Sequence, residues 1–211
     1  IYTLSLHDAL PISSLVLFPS LRQADEDEVR SFYQMARDAM GLVFPAIYAL
    51  YFPMAWILSL WLPAYASSFV YLILLLPICV FDSKMNITGV TFYSVLRRER
   101  VMLAVNAVAA GTCLVLTFVS VYLVQSVFSV MASMALVITA RSFFSEAYMN
   151  RTLGVPASRM RAFELGLTVE FVSVAFLQPA VSAFCIYTAS YTVFLVFFRR
   201  ELVRAIRKLR L

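Results

Sequence analysis

The sequence predicts an all-α fold, a polytopic membrane helix bundle of six complete transmembrane helices plus the cut end of a preceding one. Three observations carry this. Hydrophobic residues fill 62% of the 211 positions and charged residues 14%, against about 45–50% and about 25% in soluble domains. Ala39 to Phe81 is a run of 43 residues without a charge, twice the roughly 20 residues that one spanning helix needs. Fifteen of the seventeen lysines and arginines fall in alternate connections and in the C-terminal tail. With five glycines and eight prolines, the chain also lies outside the collagen-like and low-complexity classes.

Taken in order, Ile1 to Ile12 reads as an in-frame translation of a sequencing adapter, so residues 1–13 are set apart from the fold. The only histidine, His7, goes with them, leaving no His-based metal or acid–base site. The same reading implies a chain truncated at its N-terminus. Residues 14–38 are expected to hold the end of a truncated helix, Leu15 to Pro19, and a cytoplasmic acidic loop. There Ala24-Asp25-Glu26-Asp27-Glu28 reads as an acidic start to a surface helix ending near Arg37, since carboxylates favour the positive end of a helix dipole.

Residues 39–199 then form the six-helix bundle. The uncharged run breaks at Trp61-Leu62-Pro63-Ala64-Tyr65, where aromatic residues flank a proline at an expected interface. The second helix continues past Asp82 and Lys84 to Leu96, because Met85 to Leu96 is uncharged but too short to span alone. Val101 to about Leu123 is the third span and Gln125 to about Tyr148 the fourth. Ala162 to Phe198 holds two more, turning near Gln178-Pro179. The tail, residues 200–211, places Leu202, Ile206 and Leu209 on one face and its cations mostly off it, a basic amphipathic helix for the anionic inner leaflet.

Orientation follows from the cations. Arg22, Arg30 and Arg37 precede the first span, Arg97, Arg98 and Arg100 follow the second, and Arg151, Arg159 and Arg161 follow the fourth. The connections near Pro63, Val124 and Pro179 carry none. Lys and Arg stay on the cytoplasmic side, so the C-terminus is expected in the cytoplasm and the chain in the cell membrane. Topology also accounts for the net charge of +5 without a nucleic-acid partner.

The exceptions point to chemistry. Asp82 and Lys84 lie about 22 Å into the second helix at 1.5 Å per residue, near mid-bilayer, where charge is costly and faces a bundle interior or a wet cavity. Pro77 precedes them and should kink the helix. Asn86 stands one turn after Asp82, and Thr88 one turn after Lys84, each on its partner's face. Asp82, Lys84 and Asn86 are therefore candidates for a substrate pathway. The competing reading is a water-exposed loop at Asp82-Ser83-Lys84. Arg141 and Glu146 lie late in the fourth helix, where long side chains snorkel. Facing the cavity instead, Arg141 joins the pathway set and suits a phosphate through its planar fork. Glu170, inside the fifth helix, is the candidate ion-coupling carboxylate, or a packing carboxyl held neutral. Cys79, Cys113 and Cys185 lack metal or redox spacing. No phosphate loop, dinucleotide turn, zinc motif or catalytic triad is present, so no metal or cofactor is expected, and nothing points to an enzyme.

Four stretches carry a resemblance: Leu17-Phe18-Pro19-Ser20-Leu21; Trp61-Leu62-Pro63-Ala64-Tyr65-Ala66 with Tyr71-Leu72; Leu76-Pro77 through Leu96-Arg97-Arg98-Glu99-Arg100; and Val101-Met102-Leu103-Ala104-Val105-Asn106. In this order they resemble the C-terminal half of an O-antigen, capsule or teuchuronic-type oligosaccharide-lipid flippase. These flippases belong to the multidrug/oligosaccharidyl-lipid/polysaccharide exporter superfamily. The resemblance implies two pseudo-symmetric bundles around a central cavity, the N-terminal one missing here. It also implies transport of undecaprenyl-pyrophosphate-linked oligosaccharide between leaflets by alternating access, with membrane lipids as surroundings. A cation-coupled multidrug antiporter of the same superfamily is the alternative. A membrane glycosyltransferase or polymerase needs a large outer loop, and the connections without cations are only a few residues long.

Overall fold

A computed structural model describes residues 25–156, 160–177 and 180–199. Among the described residues every regular element is helical: α1 (Glu26–Trp61), a 3₁₀ turn (Pro63–Ser68), α2 (Phe69–Val95), α3 (Glu99–Val124), α4 (Val127–Thr152), α5 (Met160–Leu177) and α6 (Ala180–Phe197). The first four are long and apolar enough to cross a membrane, and α5 and α6 add 18 residues each. This is an all-α helix bundle of membrane-spanning character. The segments expected at Leu15–Pro19, at Gln178-Pro179 and in the 200–211 tail lie outside the described residues.

One boundary differs from expectation. Residues 26–38 are not an acidic loop with a separate surface helix; they are the start of α1, which runs unbroken for 36 residues, about 54 Å. Neither glycine nor proline interrupts the chain between Asp25 and Gly41. Glu26, Asp27 and Glu28 occupy the first turn, where the exposed N–H groups and the dipole favour acid. Pro45 and Pro53 lie inside the helix, each removing a backbone donor. Nearby carbonyls gain donors from α6: Tyr187 donates to the Pro45 carbonyl at 2.7 Å and Tyr191 to that of Leu42 at 2.8 Å.

The apolar core has two parts. Tyr48 and Phe52 of α1, Phe171 of α5 and Tyr187 and Phe194 of α6 make an aromatic block joined by Ile73 and Val80 of α2. Tyr48 stacks on Phe171 with ring centroids 4.7 Å apart, within the range where aromatic pairs add to plain burial. The second part gathers Val29 and Tyr33, Met85, Phe92 and Tyr93, and Met149 and Val155, sealing the early turns of α1 against the ends of α2 and α4. By contrast, the α-helical part of α3 buries no residue and leans on α4.

Tight connections fix this order. Arg97 and Gln125 each take a left-handed φ of 52°, reversing the chain after α2 and α3 with one or two further residues. Gly154 does the same at φ 62°, and its carbonyl accepts from Arg30 of α1.

Candidate functional site

The helix α2 passes through Asp82-Ser83-Lys84 without a break, so the loop alternative does not form. Directly after Lys84 the backbone winds as one π-helical stretch, Met85–Val90, a feature often found at functional positions. Asp82 and Lys84 are two residues apart and leave the helix on different sides, so they meet different partners.

Lys84 turns inward and is 2% exposed. Its Nζ lies 2.5 Å from Glu164 Oε2 of α5 and 3.0 Å from Glu146 Oε2 of α4. Arg161 of α5 reaches the other Glu146 oxygen, Nε to Oε1 at 3.3 Å. Next to them Arg37 of α1 donates to Asn150 Oδ1 at 3.1 Å, to the Pro156 carbonyl at 3.2 Å and to Asp38 at 3.0 Å. Three cations and three carboxylates from four helices thus close on one another and leave no room for a water-sized guest. Gly41 of α1 faces Met160 of α5 here, and a Cβ at this position would stand 2.7 Å from Met160 Sδ, so the thioether would have to move. Thr88 caps the arrangement by donating to the Lys84 carbonyl at 2.7 Å.

Asp82 turns to the opposite flank. Its carboxylate pairs with Arg141 of α4 through one oxygen and accepts from Asn86 Nδ2 at 3.1 Å through the other. Arg141 Nη1 also donates to Asn106 Oδ1 of α3 at 3.4 Å. This patch is open: the Asp82 side chain is 45% exposed and that of Arg141 19%. It lies beside an apolar groove of about 470 Å³ between α3 and α4, walled by Val105, Val108, Thr112, Leu136, Ala140 and Arg141. Arg141 therefore pairs across the bundle, where the sequence also allowed it to snorkel.

Of the pathway candidates, the structure brings Asp82, Asn86 and Arg141 together and sends Lys84 elsewhere. Glu170 stands apart from both groups, half-buried in the wall of a groove of about 660 Å³ between α5 and α6. Reading the sequence missed the inward set: Glu146 stood there as a helix-end residue, Arg37 and Arg161 counted only as orientation cations, and Glu164 carried no role. The signal available was the lysine itself, which within a long apolar helix calls for carboxylates from other helices. Among the described residues no three His, Cys, Asp or Glu side chains converge to hold a metal.

No protein-family model matches this chain, and no curated protein or solved structure matches it either.

Proposed function

We propose that the chain is one bundle of a flippase for lipid-linked oligosaccharide, passing an undecaprenyl-pyrophosphate-linked head group across the cytoplasmic membrane by alternating access. Its basic loops and tail face the cytoplasm in this reading. One observation carries it: a half-exposed polar patch, Asp82–Asn86–Arg141–Asn106, stands on otherwise apolar helices beside an apolar groove. A head group rich in hydroxyls cannot cross hydrocarbon unaided, because each unsatisfied polar group there is costly. A polar seam next to an apolar groove suits an amphiphile, with the head on the seam and the tail in the groove or the lipid. The order of the sequence motifs named above supports the same reading.

Glu170 favours a second one. A half-buried carboxylate with no cation beside it among the described residues suits the cation coupling of a multidrug antiporter.

Disrupting the gene separates the two. A flippase predicts loss of surface polysaccharide and accumulation of its lipid-linked precursor, with drug sensitivity unchanged. Intact surface polysaccharide in the disrupted strain rules the flippase out.

A further inference from the structure

We infer that Asp82 sets the charge selectivity of the open patch, making it a site for uncharged, hydroxyl-rich groups rather than for phosphate. The argument starts from what remains free once the internal contacts are counted. One Asp82 oxygen is committed to Arg141 and the other to Asn86. Arg141 spends one terminal nitrogen on Asp82 and the other on Asn106, and its Nε is buried without a partner among the described residues. Two of the five guanidinium N–H groups are thus committed, and the cation already faces a carboxylate, so a phosphate gains its bidentate grip only in competition with Asp82.

Two neutral groups are left over. Asn86 donates to Asp82, so its Oδ1 is the free acceptor; Asn106 accepts from Arg141, so its Nδ2 carries free donors. A free amide carbonyl next to Asp82 and a free amide N–H₂ next to Arg141 suit hydroxyls, which both donate and accept. A phosphate would have to approach the Asp82 carboxylate directly, and like charges repel. In contrast, a sugar hydroxyl meets a patch whose net charge is zero. Resting on the flippase reading, this assigns the patch to the sugar part of the substrate and leaves the pyrophosphate to groups elsewhere.

The test uses the full chain in lipid nanodiscs, titrated calorimetrically with maltose and, separately, with inorganic pyrophosphate. Wild type should bind maltose and not pyrophosphate, and N106L should weaken maltose binding at least fivefold. D82N should bind pyrophosphate at least tenfold more tightly than wild type, and D82N/R141Q should lose that gain, placing it at Arg141. Asp82→Ser gives the same reading should D82N not accumulate. Pyrophosphate binding in wild type equal to that in D82N, no gain in either Asp82 variant, or no maltose binding in wild type overturns the inference. Gain of pyrophosphate binding in D82N alongside intact surface polysaccharide in the disrupted strain leaves charge selection standing and removes the flippase.

Discussion

Asp82 and Lys84 are two residues apart on one helix, yet they lie in opposite environments. Lys84 is enclosed by Glu146 and Glu164 and ties α2 to α4 and α5. Asp82 is almost half exposed and holds Arg141 at the open flank of the bundle. The difference teaches that a charge within an apolar helix does not by itself mark a ligand site. A charge whose partners fill its whole surroundings serves the packing, whereas one with an open side remains available to a ligand. The Lys84 cluster leaves no room for a water-sized guest, so its part is to hold four helices together.

Breaking the enclosed side should have the largest effect. Lys84→Met leaves two buried carboxylates without their shared cation and should cost about 3–5 kcal/mol, the range for stranding a buried charge. Thermal unfolding in detergent reads this as a large drop in midpoint. Adding E146Q and E164Q to Lys84→Met should restore most of that loss, and no recovery would show that the carboxylates are not what the lysine serves. On the open side, Arg141→Gln should cost about 1 kcal/mol or less, as for a partly solvated ion pair. In the flippase reading, however, export of polysaccharide should fall sharply. A midpoint drop as large as that of Lys84→Met would erase the contrast between the two sides. Leu114→Ala on α3 should be the smallest change, within about 0.5 kcal/mol, because Leu114 is 72% exposed. A larger loss would mean that α3 packs against something beyond this bundle.

How much of this could be read in the sequence varies from element to element. The uncharged run from Ala39 to Phe81 and its break at Pro63 were legible, because hydrophobic length and a proline between aromatic residues are local signals. The merger of the acidic segment into α1 was less so. Arg37 looked like a boundary, and only its partners Asn150 and Pro156, more than a hundred residues away, explain how a guanidinium is buried inside a continuous helix. The Asp82–Asn86 contact followed from one-turn spacing and formed as that spacing requires. The Lys84–Glu164 contact bridges 80 positions, and no periodicity links them.

Composition and hydrophobic run length alone determined that this chain is a bundle of apolar helices. Those quantities depend on transfer between water and hydrocarbon, which each residue carries with it. Tertiary structure decided which charges on the apolar helices are silenced and which stay open, since that depends on what four helices present to one another. Glu146 and Glu164 close on Lys84 from two other helices, and the pairing of Arg141 with Asp82 fixes the charge of the flank. Both are matters of proximity in space, set by how the helices pack.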